Sequence, residues 1–176
     1  MIKKALPYVI ILLFPLIYSC DQLEELKTWD LNTEAGKDFE VNISEIDPST
    51  FSTTFSVSLA TNPDIQEYIN KIKEYRVNKV TYQIWTYSGP PEGDVLLSGT
   101  FKLGSINILL DKVNLNQMYN NQTITTLDLT DQELVDLAKM LESNKSVSGS
   151  LAGEVTDKPV YFIIYVEFDL TLRVEA

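Results

Sequence analysis

From Phe39 onward, apolar side chains fall at every second position for most of the chain, the spacing of strands that bury one face. Phe39, Val41 and Ile43 alternate with polar neighbours, Asp47-Pro48-Ser49-Thr50 supplies a turn, and Phe51, Phe55, Val57 and Leu59 alternate again. Two such runs around a turn predict a β-hairpin. Val80, Tyr82 and Ile84 mark a third strand within Val77 to Tyr87, ended by a Ser88 to Asp94 loop whose prolines and glycines cannot continue a ladder. Strands are also expected at Val95 to Leu103 and Ile106 to Val113, then a polar crossover over 114–123 and a brief strand from Ile124 to Leu129. The clearest alternation closes the chain: Val147 to Val155, a turn at Asp157-Lys158-Pro159, then eight apolar residues at the even positions from Val160 to Val174. Opposite them stand Tyr161, Ile163 and Tyr165, then Glu167, Asp169, Thr171 and Arg173. That strand is the expected spine of a sheet, its first half covered on both faces and its second half solvated on one.

Two stretches change to helical spacing. Asn62 caps a helix expected over Pro63 to Lys73, with Pro63 at its first position, Asp64 and Glu67 near its positive end, and Ile65, Tyr68, Ile69 and Ile72 on one face. Thr130-Asp131-Gln132-Glu133 is a capping box, opening a helix that turns Leu134, Leu137, Ala138 and Leu141 inward and ends with Asn144 in the left-handed region. About seven strands joined by two short helices predict a mainly β domain over residues 37–176. An antiparallel, immunoglobulin-like β-sandwich fits this order better than an α/β fold, because strands follow strands without regular crossover helices.

Ahead of this body lies a different pattern. Lys3 and Lys4 precede an apolar run from Ala5 to Ile17, and Ile17-Tyr18-Ser19-Cys20 carries the chain's one cysteine behind a small residue. The run is too short for a spanning helix, is interrupted by Pro7 and Pro15, and is followed by Asp21, Glu24 and Glu25. Residues 1–19 therefore read as a removable targeting segment, with residues 20–36 as a tether. The segment resembles the signal of bacterial lipoproteins, in which the cysteine becomes the mature N-terminus and is lipidated. The resemblance implies several acyl chains on Cys20, and at about 0.8 kcal/mol per buried methylene these give stable anchoring to a membrane. It places the protein in a bacterial cell envelope, at the outer membrane. Asp21, Glu24 and Glu25 are similar to the acidic export signal of some Bacteroidota lipoproteins, which implies surface display as an alternative to a periplasmic position.

Beyond residue 19 the chain carries 12 basic and 25 acidic side chains, a net charge of −13. Such a balance repels phosphate backbones and argues against a nucleic-acid partner. With a single cysteine the body has no internal disulfide, so its stability must come from packing.

Within the body, Ser58-Leu59-Ala60-Thr61-Asn62-Pro63, Val80-Thr81-Tyr82-Gln83-Ile84, Leu97-Ser98-Gly99 and Gly153-Glu154-Val155 follow an order that resembles the late-embryogenesis-abundant and water-stress-response family. That resemblance implies a β-sandwich, in some bacterial members carried by an envelope lipoprotein.

The chain has no histidine, which removes the usual general base and the usual transition-metal ligand. Gly149-Ser150-Leu151-Ala152-Gly153 places its serine one position too early for a nucleophile elbow. Asp128, Asp131 and Glu133 lack the spacing of a calcium loop, and no metal or cofactor is expected. Glu167 and Asp169 project from one face of the final strand at about 7 Å, a separation that glycosidases use, although a solvated strand face explains the same pattern. Trp85 and Tyr87 are the candidate ligand-binding residues: they are expected to share the face opposite Tyr82 and Ile84, where flat rings stack on a sugar or anchor a protein. The sequence thus reads as a non-catalytic, lipid-anchored structural or partner-binding module. A glycan-binding surface lipoprotein and a carboxylate-dependent hydrolase are the alternatives.

Overall fold

The strand with the strictest alternation is the one on which the molecule is built. In the computed structural model, which describes residues 27–90 and 93–176, Val160–Glu175 forms one 16-residue strand with its eight even-numbered apolar side chains almost wholly excluded from solvent. The expected targeting segment, Cys20 and the first part of the expected tether lie outside the described residues. Eight strands run through the rest in chain order: β1 (Thr28–Ile43), β2 (Thr50–Ser58), β3 (Ile72–Ser88), β4 (Leu96–Leu103), β5 (Ile106–Asn114), β6 (Ile124–Thr126), β7 (Ser146–Val155) and β8 (Val160–Glu175). They make two antiparallel sheets of four, in the orders β1-β8-β3-β6 and β2-β7-β4-β5. The β-sandwich expected from the alternation is the fold.

The sheets meet through aromatic rings. Phe39 of β1 stacks on Phe55 of β2 with centroids 4.6 Å apart, and Phe101 of β4 lies within 5.5 Å of Phe55 and 6.4 Å of Tyr82. Phe162 of β8 meets Phe51 edge-on at 6.0 Å. Gly149 sits directly opposite Phe55 in the β2–β7 ladder, and a Cβ there would strike the ring. Close packing of this kind leaves no room for added volume.

Several local expectations give way to the long-range pairing. β1 and β2 do not form a hairpin: β1 pairs with β8 and β2 with β7, so the turn at residues 47–50 carries the chain from one sheet to the other. Alternation reports which side of a strand is buried and is silent on its neighbour. β1 also starts at Thr28, within the expected tether, because Thr28 to Gly36 pair with the second half of β8 through their backbones. Trp29 closes edge-on against Tyr68 at 5.2 Å and fastens this segment to the turn before β3.

The first helix is only one turn, α1 (Pro63–Gln66), capped by the Asn62 carboxamide on the Asp64 N–H at 2.8 Å. The expected continuation to Lys73 is instead a turn and the start of β3. The expected polar crossover contains a helix, α2 (Leu115–Asn120), which the Asn114 side chain caps at Gln117 N and which buries Leu115 and Met118. The capping-box helix forms as read, α3 (Asp131–Asn144), with Thr130 and Glu133 bonded reciprocally. Its left-handed closing residue is Lys145, one place beyond Asn144. The Lys145 ammonium donates to the Tyr75 hydroxyl at 2.5 Å and to the Glu142 carbonyl at 2.9 Å, which offsets the cost of the backbone geometry.

α2 packs on β3 and β5, and α3 on β3 and β7, so both close the sides of the sandwich. The outer face of β1 and β8 is left without a covering element among the described residues, contrary to the two-sided burial expected for the first half of β8.

Phe162→Ala should lower stability by about 3–5 kcal/mol, as the loss of a fully buried ring does. Thr130→Ala should lower it by about 1 kcal/mol through the lost cap. Urea midpoints of the two variants measure both, and the order of the two losses is the expected outcome.

Candidate binding site

β3 is regular except at three points where the register shifts, and one of these lies at Trp85. Ile84 is opposite Ile164 and Thr86 is opposite Ile163, so Trp85 is the extra residue of a β-bulge. One inserted residue reverses the phase of alternation beyond it. Tyr87 therefore falls opposite Phe162, whose side chain is in the core, while Trp85 is 49% exposed. The expectation that Trp85 and Tyr87 share one face is overturned by this bulge.

Each ring has a distinct environment. Trp85 lies flat on Tyr165 of β8, centroids 4.1 Å apart and planes within 12°. Tyr165 lies in turn across Gly36 of β1, where a Cβ would collide with the phenol. The absence of a side chain at Gly36 thus sets the height of the stack. Tyr87 is half-buried with its hydroxyl unpaired against Gly89, and burial, then Asp157 and Asp94, push its ionisation upward. Its ring lies 6.3 Å from that of Tyr119 in α2, so it braces a second aromatic residue from behind.

Beside the Trp85 stack, β3, the C-terminal end of α2 and the start of β6 enclose a cleft of about 600 Å³. Gln83, Ile84, Trp85, Tyr119, Asn120, Gln122 and Ile124 line it. The residues from α2 and the loop after it fall in the stretch expected as a polar crossover; the signal available there is Asn114 three positions before Gln117, a capping pattern with Leu115 and Met118 on one face behind it. A second groove, of about 480 Å³ between β3 and α3, differs in kind, since six of its lining residues are charged: Lys73, Glu74, Arg76, Asp131, Lys139 and Glu142.

The carboxylates singled out on β8 have structural partners. Asp169 accepts from the Asn78 carboxamide at 2.8 Å and lies 3.7 Å from the Lys79 ammonium. The same carboxamide reaches Thr171 Oγ1 at 3.1 Å, and Thr171 donates to Asn32 at 2.9 Å, a polar ladder across three strands. Glu167 is bonded to Tyr165, and its ionisation is pushed upward, first by burial and then by the Glu34 charge. Burial and the neighbouring Glu167 raise Tyr165 as well. Among the described residues, no group of three or more acidic, histidine or cysteine side chains could hold a metal ion, and no helix is long and apolar enough to cross a membrane.

Fold and site together define a β-sandwich with an aromatic and carboxamide-lined cleft at the margin of one outer sheet face. No family model matches the chain, and neither does any curated protein. Among solved structures it is similar to a cryo-EM structure of the semi-empty virus-like particle of giant freshwater prawn (Macrobrachium rosenbergii) nodavirus, at 12% identity over 85% of this chain and 94% of that one, TM-score 0.39. It is also similar to Desmodium yellow mottle tymovirus, at 9% identity over 83% of this chain and 84% of that one, TM-score 0.33. Neither likeness bears on the site.

Because the folded state raises the Glu167 pKa, its favourable contribution is present below the unfolded carboxylate pKa of about 4.3 and is lost as pH rises through the folded value. Glu167→Gln should therefore raise the denaturation midpoint at pH 7, with the advantage over wild type vanishing near pH 4. Midpoints at the two pH values check the sign.

Proposed function

We propose that this protein is a non-catalytic, lipid-anchored binding module of a bacterial cell envelope, held at the outer membrane through acyl chains on Cys20. On this reading it meets its partner with the Trp85 margin of the outer sheet face. One observation carries it: a large ring that is 49% exposed nonetheless lies stacked, flat against Tyr165 at 4.1 Å. Exposed aromatic area with its conformational entropy already removed is what a contact surface requires. Scattered exposed apolar residues need no explanation, but Trp85, Tyr119 and Ile124 are all exposed and line one cleft. The anchoring half of the reading rests on the Met1 to Cys20 pattern alone.

Both halves are open to direct test. Metabolic labelling with a radioactive fatty acid should mark the wild-type chain and leave Cys20→Ala unlabelled; equal labelling of the two would remove the anchor assignment. Trp85→Ala should cost only about 1 kcal/mol of stability, the worth of one aromatic stack. A loss of 3 kcal/mol or more in its denaturation midpoint would make Trp85 a packing residue and end the binding reading.

A further inference from the structure

We propose that the cleft between β3, α2 and β6 is a binding site for an uncharged oligosaccharide, an inference that rests on reading the Trp85 margin as a contact surface. The ligand class follows from what lines the cleft and what does not. Gln83, Asn120 and Gln122 contribute three primary carboxamides, each able to donate two hydrogen bonds and accept through its oxygen. A sugar hydroxyl also both donates and accepts, so these groups match it in either sense. Trp85, Tyr119 and Ile124 supply the apolar surface against which the C–H face of a pyranose ring packs.

Charge is the discriminating feature. The chain is 22% charged, yet no lining residue of this cleft is ionisable near neutral pH, in contrast to the groove between β3 and α3. An anionic or cationic ligand would lose hydration there without gaining a counter-charge. Neutral polyols incur no such cost.

The carboxamides are also free to serve. The Asn120 amide donates to Asn116 Oδ1 at 2.7 Å, which orients it and leaves its oxygen and second N–H available. Among the described residues the Gln83 and Gln122 side chains have no hydrogen-bond partner. Gln122 holds φ at 50°, a left-handed position after a helix that glycine or asparagine ordinarily fills. The volume, about 600 Å³, falls within the range of about 300–1,000 Å³ typical of small-molecule sites.

The test is native affinity electrophoresis of the full-length protein in detergent, through gels containing dextran, galactomannan, xyloglucan or yeast mannan, with polygalacturonate as the acidic counterpart. At least one neutral polysaccharide should retard the wild type, and polygalacturonate should not. Gln122→Gly, which suits the left-handed backbone and deletes only the carboxamide, should weaken retardation tenfold or more, as should Trp85→Ala. Glu142→Gln, in the separate groove between β3 and α3, should leave it unchanged. Retardation by polygalacturonate alone, by none of the neutral polymers, or equally in the two site variants would overturn the assignment. A stable Trp85→Ala beside a wild type that no neutral polymer retards removes the sugar while leaving the contact surface; a strongly destabilised Trp85→Ala removes the contact surface itself.

Discussion

The row of apolar side chains along one face of β8 is the constraint from which the rest of the molecule follows. β8 is flanked along its length by β1 and β3, so its backbone groups are paired on both edges and its inner face is closed by the opposing sheet. With all eight inner residues excluded from water, the register of both neighbours is fixed, since a slip of one residue would turn an entire hydrophobic face outward. The long strands on either side inherit their positions from it. The outer face inherits its composition too: whatever β8 presents at its odd positions becomes the floor of an exposed surface.

That floor changes character along the strand. Toward the C-terminal end it is a ladder of short polar contacts, with Asp169, Asn78, Thr171 and Asn32 satisfying one another. Toward the N-terminal end it becomes aromatic, with Tyr165 supporting Trp85. Between them lies Glu167, half-buried and close to Glu34, a carboxylate the fold tolerates and does not reward. The acid pair that alternation placed on one face is thus divided between two local tasks, one in the polar ladder and one against a tyrosine.

Local signals were legible wherever one segment suffices to set its own structure. The β8 alternation, the Thr130–Glu133 capping box and the Asn62-Pro63 helix start all read directly into the fold. What could not be read depends on partners. The strand from Thr28 to Gly36 has few apolar residues because an edge strand is held by its ladder, and hydropathy does not register backbone pairing. The separation of β1 from β2 has the same origin. At the site the obstacle was phase: Trp85 was legible as a candidate, but a bulge of one residue sent Tyr87 inward and left room for Tyr119, Asn120 and Gln122 to arrive from a loop with little periodicity. A single inserted residue leaves no compositional trace.

The early start of β1 alters how the chain reaches away from whatever holds its beginning. β1 enters at Thr28, opposite Glu175 and across β8 from the first residues of β3, whereas Trp85 lies near the far end of β3. The thirteen residue-to-residue steps from Ile72 to Trp85 correspond to about 40 Å of strand at a rise of about 3.3 Å each. The cleft and the point where the chain enters the sheet therefore stand toward opposite ends of one strand, held apart by ladders paired along its length. Such a geometry behaves as a mast: it fixes how far the cleft stands from the place where the chain enters the sheet.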